Sequence, residues 1–213
     1  MRALFAVCGV LAFATPLLGQ TEDERFAAGS DKVAAEALSR FAELVTRENY
    51  QQMGFDSPEE VRSAKLGPPM RQFSVGLESL RRFEASSDPS KLLGGADTLI
   101  FPVLTGDRVR SSVTLQKDSS GWRAVAFGAP AFTRAVWDAR GRSEAAGGGA
   151  SPSIVRVPAL NLFFLGTRRD GQLMLAPLVD DPRLKLEKGV PVPAATVFTA
   201  LVPLARAHND LPT

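Results

Sequence analysis

Polar and apolar residues alternate through "GDRVRSSVTLQKDSSGWRAVAFG", residues 106 to 128, with the two-residue period of paired strands. Residues 98–104 and 108–117 read as one hairpin turning at Gly106-Asp107, a two-residue turn signal. The next turn, Ser119-Ser120-Gly121, reads as a three-residue loop with Gly121 at the left-handed position. That register sets Lys117 opposite Arg123, Leu115 opposite Val125 and Val113 opposite Phe127, with Ile100 and Leu104 extending the same apolar face. Arg110, Ser112, Thr114 and Gln116 then share the other face. They are flanked by Leu99, Phe101 and Val103 on one strand and by Trp122, Ala124 and Ala126 on the other.

Helical spacing appears elsewhere. Val33, Ala37, Leu38, Phe41, Leu44 and Val45 form a stripe over residues 31–53, with Ser30 as cap and Gly54 as terminator. "SPEE" predicts a short helix, with Ser57 capping, Pro58 at the first position and Glu60 closing a capping box. "MRQFSVG" predicts a strand, and Leu77, Leu80 and Phe83 a helical turn. A helix is expected from Pro130 through Arg140, with Phe132, Ala135, Val136 and Ala139 inward. Residues 141–153, with a glycine triplet, read as a loop. The hairpin at Asp170-Gly171 is apolar on both faces, which requires cover on both sides. A last helix carries Val197, Phe198, Leu201, Val202 and Ala205, with a bend expected at Pro203.

These elements predict an α+β fold. The sheet is expected to be largely antiparallel, of about five to seven strands, with helices packed on both faces and the N-terminal helices first.

The first twenty residues stand apart. Arg2, an uncharged apolar run from Ala3 to Leu18 and an acidic flank have the layout of a secretory signal peptide. The run is shorter than the ~20 residues that span a bilayer. An exported protein, periplasmic or extracellular, is therefore expected, with residues 21–213 as a single domain. Cleavage would remove Cys8, the sole cysteine, and Arg2, lowering the net charge by one from +2. So balanced a charge supplies no general attraction to nucleic acid.

Chemistry is sparse in the sequence. His208 is the only histidine, and a Cys-His pair or histidine-rich zinc site cannot be assembled from it. Neither a phosphate loop nor a dinucleotide glycine fingerprint occurs, so no cofactor is expected. Asp180-Asp181 is the most suggestive carboxylate pair, although Asp-Asp-Pro is also a common turn. Arg110, Ser112, Thr114 and Trp122 are the candidate ligand-binding residues: one cation, two hydroxyls and an aromatic ring suit a polar or anionic partner. The leading expectation is a non-catalytic binding or assembly module acting on a protein or a small polar or anionic ligand. The alternatives are an exported hydrolase using Asp180 and Asp181, or an accessory protein tethered to the membrane by an uncleaved N-terminal segment.

Overall fold

A computed structural model describes residues 22–147 and 152–209. The expected signal segment, residues 1–20, lies outside the described residues. Five helices occur among the described residues: α1 (Glu22–Ala27), α2 (Ser30–Leu44), α3 (Leu77–Arg81), α4 (Pro130–Ala145) and α5 (Ala194–Ala207). The strands are β1 (Lys65–Leu66), β2 (Met70–Val75), β3 (Leu93–Thr105), β4 (Arg108–Asp118), β5 (Gly121–Gly128), β6 (Ser153–Val157), β7 (Leu162–Arg169), β8 (Gln172–Pro177) and β9 (Val192–Pro193).

All nine belong to one sheet, in the order β5-β4-β3-β2-β6-β7-β8-β9, with β1 pairing beside β2 on β3. An isolated bridge, Asp181 to Leu186, adds a further short pairing. This corrects the expected fold: the sheet is larger than five to seven strands, and it is mixed. The parallel pairing joins β2 to β6, with Phe73 opposite Val155. Nothing local announces it, because the two strands are far apart in the chain and meet only when α4 carries the chain back across the sheet.

One face is covered by α2 at the β3–β4 end and by α3 and α5 at the β6–β8 end. Ala34, Ala37 and Phe41 of α2 pack on Leu99, Phe101, Val113 and Leu115. Phe41 stacks on Phe127 with centroids 5.5 Å apart. Leu44, placed in the stripe by spacing, is instead half exposed because α2 ends there. Val197, Phe198, Leu201, Val202 and Ala205 of α5 pack on Val155, Phe164, Leu173 and Leu175. The opposite face has one helix, α4, whose Val136 and Ala139 meet Ile100, Ile154, Leu165 and Ala176. Cover on both sides explains the doubly apolar β7–β8 hairpin.

Four local expectations need correction. The SPEE segment forms only a 3-10 turn, Glu60–Ser63, and the Glu60 carboxylate accepts from the Asp56 N–H at 2.7 Å. Helix α4 runs past Arg140 to Ala145 and takes in the start of the expected 141–153 loop. The Asp118–Gly121 turn has a two-residue loop, held by the Asp118 carboxylate accepting from the Ser120 N–H at 2.8 Å. Lys117 therefore faces Trp122 and Leu115 faces Ala124. Val113 does face Phe127, because Val125 bulges out between Leu115–Ala124 and Thr114–Ala126.

A second bulge matters more. Val103 pairs with Ser111 and Leu104 with Val109, leaving Arg110 as the extra residue. The bulge slips β3 by one position against β4, so Leu99 and Phe101 face Leu115 and Val113, while Ile100 faces Thr114. Since a one-residue slip exchanges faces, Leu99, Phe101 and Val103 join the α2 side, and Ile100 joins the α4 side.

Candidate functional site

The four candidate residues do not form one row. Arg110 turns toward the α2 side, where it is 6 % exposed. Its Nε donates to Glu60 Oε1 at 2.7 Å and to Thr105 Oγ1 at 3.0 Å, and its Nη2 pairs with Asp56. The Thr105 hydroxyl also donates to Glu60, at 2.6 Å. Burial works against the charged guanidinium, but hydrogen bonds to Asp56 and Glu60 outweigh it and raise the Arg110 pKa. Burial likewise raises the Glu60 carboxyl, yet the Thr105 hydroxyl, the Asp56 N–H and Arg110 hold it below the ordinary range. Chiefly through its hydrogen bond with Arg110, the Asp56 carboxyl is lowered too. This cation is spent on holding residues 56–60 against the sheet.

Trp122 is also structural. Its indole N–H donates to the Ala28 carbonyl at 3.2 Å, and its ring meets Phe26 edge-on with centroids 5.2 Å apart. Arg71 lies over the same Phe26 ring at 3.9 Å. Together they seat α1 on the sheet.

Ser112 and Thr114 remain, and the bulge brings them beside residues that sequence reasoning did not single out. Gln72, Ile100, Ser112, Thr114, Ala129, Phe132, Arg156 and Phe163 line a groove of about 410 Å³. Five adjacent strands contribute: β4, β3, β2, β6 and β7. The register accounts for the convergence, since Thr114 faces Ile100, Gln72 faces Ile154, and Arg156 faces Phe163. The first turn of α4 forms one wall through Ala129 and Phe132, and Phe132 meets Phe163 with centroids 5.1 Å apart.

The electrostatics of this groove are unbalanced. The Arg156 side chain makes no hydrogen bond or ion pair with any described residue, and its Nε is buried without an acceptor. The Phe163 ring lies 5.9 Å from its guanidinium carbon. An unsatisfied buried donor costs about 1–3 kcal/mol, more when it carries charge. None of the lining residues is acidic. The Ser112 hydroxyl donates to the Gly128 carbonyl at 2.7 Å and keeps its lone pairs, while Gln72 and Thr114 keep their hydrogen-bonding capacity. The arrangement can hold a negative head group beside an apolar body.

The two carboxylates of the Asp180-Asp181 pair are each engaged locally. Asp181 is buried and accepts from Arg183 Nη2 at 2.7 Å, and that hydrogen bond is the main reason its carboxyl is lowered. Asp180 accepts from the Lys188 N–H at 2.7 Å. Both carboxylates organise the turn that leads to the Asp181–Leu186 bridge. His208 follows α5, and its carbonyl accepts from Arg81 at 2.7 Å. Among the described residues, no group of three His, Cys, Asp or Glu side chains gathers as a metal site. Likewise, no helix among them is long and apolar enough to cross a membrane.

Comparison with known proteins returned no match, whether to a family model, a curated protein or a solved structure.

Proposed function

We propose that this protein is an exported, non-catalytic binding module that holds a small ligand in the groove between β4, β7 and the first turn of α4. The observation that carries this reading is the unpartnered Arg156, set among apolar walls and free hydrogen-bonding groups. Recognition sites combine apolar lining with a few convergent polar groups in this way, and about 410 Å³ lies within their usual size range. Catalysis near neutral pH would need a group that exchanges protons there, and the groove lining contains no histidine, carboxylate or cysteine. Export rests on the basic, apolar and acidic order of residues 1–25.

The test is a titration of isotopically labelled protein with aromatic and aliphatic small molecules of positive, negative and neutral charge. Saturable shifts concentrated at Gln72, Thr114, Phe132 and Phe163 are expected. Their absence with every class of compound would remove the groove as a binding site. A parallel screen with esters, glycosides and peptides should give no turnover; activity abolished by Asp180→Asn/Asp181→Asn in a folded protein would favour the hydrolase reading.

A further inference from the structure

The geometry points to a specific ligand class for this groove: an amphipathic monocarboxylate, meaning one carboxylate head on a compact apolar or aromatic body. This inference rests on the binding reading above and narrows it. The head group is set by Arg156. Its guanidinium has no acidic partner, and its buried Nε lacks any acceptor. A guanidinium left in this state is completed by an oxyanion, and a carboxylate matches its planar fork of donors.

Charge count separates carboxylate from phosphate. One arginine lines the groove, with no lysine or second arginine beside it. That balances a single negative charge and leaves a dianion undercompensated. Gln72, on the neighbouring strand two positions from the Ser74 that faces Arg156, can donate to the second carboxylate oxygen. The body of the ligand is set by Ile100, Phe132 and Phe163. The two rings already meet at 63°, an edge-to-face arrangement that a ligand ring can extend. A fully polar anion would leave these walls uncovered, and a neutral hydrocarbon would leave Arg156 unsatisfied.

The experiment compares 4-phenylbutyrate, 4-phenylbutyramide and butyrate on the purified protein, by calorimetry and by amide shifts at Thr114 and Phe163. Phenylbutyrate is expected to bind at least tenfold more tightly than the amide, which has the same shape without the charge, and more tightly than butyrate, which lacks the ring. In Arg156→Gln, with folding checked by circular dichroism, acid and amide should bind equally. The acid–amide comparison on the wild type stands alone if that variant does not fold. Equal wild-type affinity for acid and amide would overturn the carboxylate assignment while leaving the groove as a binding site. Equal affinity for butyrate and phenylbutyrate would overturn the apolar body. No shift at Thr114 or Phe163 with any of the three, together with none in the broader titration, would remove the binding reading itself.

Discussion

Replacing Arg110 should destabilise the fold without touching the groove beside Arg156. In Arg110→Met, Glu60 loses its close cation and keeps only the exposed Arg108, 3.9 Å away, while its own side chain stays 16 % exposed; Thr105 loses one of its two partners. Removing one member of a buried pair costs about 3–5 kcal/mol, because the other is left charged and poorly solvated. The lower end applies here. Asp56, with a side chain 65 % exposed, can return to water, and Glu60 keeps the Thr105 hydroxyl and the Asp56 N–H. A loss of about 3 kcal/mol in a domain of this size lowers Tm by about 6–12 °C. Thermal unfolding at neutral pH should show that drop. Arg110→Met/Glu60→Gln should recover part of it, since no unpaired charge then remains. Because Arg110 and Arg156 lie on opposite sides of the sheet, the folded variant should bind phenylbutyrate as the wild type does. An unchanged Tm in Arg110→Met would refute the structural assignment. Weakened binding with an unchanged Tm would return Arg110 to the list of ligand contacts.

Gly54 has φ +96°, and a Cβ there would lie 1.9 Å from the Arg110 carbonyl oxygen and 2.7 Å from Pro130 Cβ. Gly54→Ala should therefore cost about 3 kcal/mol or more in chemical denaturation, whereas Gly171→Ala, strained at φ +79° but with open space around it, should cost about 1 kcal/mol. Ser111 is fully buried and its hydroxyl has no partner among the described residues, so Ser111→Ala should leave the stability read from urea unfolding unchanged or raise it by up to about 1 kcal/mol. The lowered carboxyls of Glu60 and Asp181 contribute stability that is complete above their unfolded-state pKa values and is lost as pH falls through the folded ones. Urea unfolding at pH 7 and pH 3 should show a smaller acid-induced loss in Glu60→Gln than in the wild type.

Local patterns were enough to locate most elements. The α5 stripe, the Gly106-Asp107 and Asp170-Gly171 turns, and the doubly apolar hairpin depend on near-neighbour spacing, and periodicity reports that directly. The nominated hydroxyls, Ser112 and Thr114, do line the groove, because their alternation along β4 is itself local. Their grouping with Arg110 and Trp122 was not legible, since β-sheet faces depend on register and a bulge changes register by one residue. The bulge at Arg110 sends that side chain to Asp56 and Glu60, and it brings Ile100 rather than Leu99 beside Thr114. Arg156 was passed over for a different reason. In "SIVRV" it is one charge in a short apolar run; the parallel β2–β6 pairing sets it near Gln72, the β6–β7 pairing beside Phe163, and α4 brings Phe132, none of them a counter-ion. Composition and periodicity thus determined the kinds of element and the scarcity of catalytic groups. The tertiary structure decided which charge is satisfied and which is left without a counter-ion, because that balance depends on contacts between segments far apart in the chain.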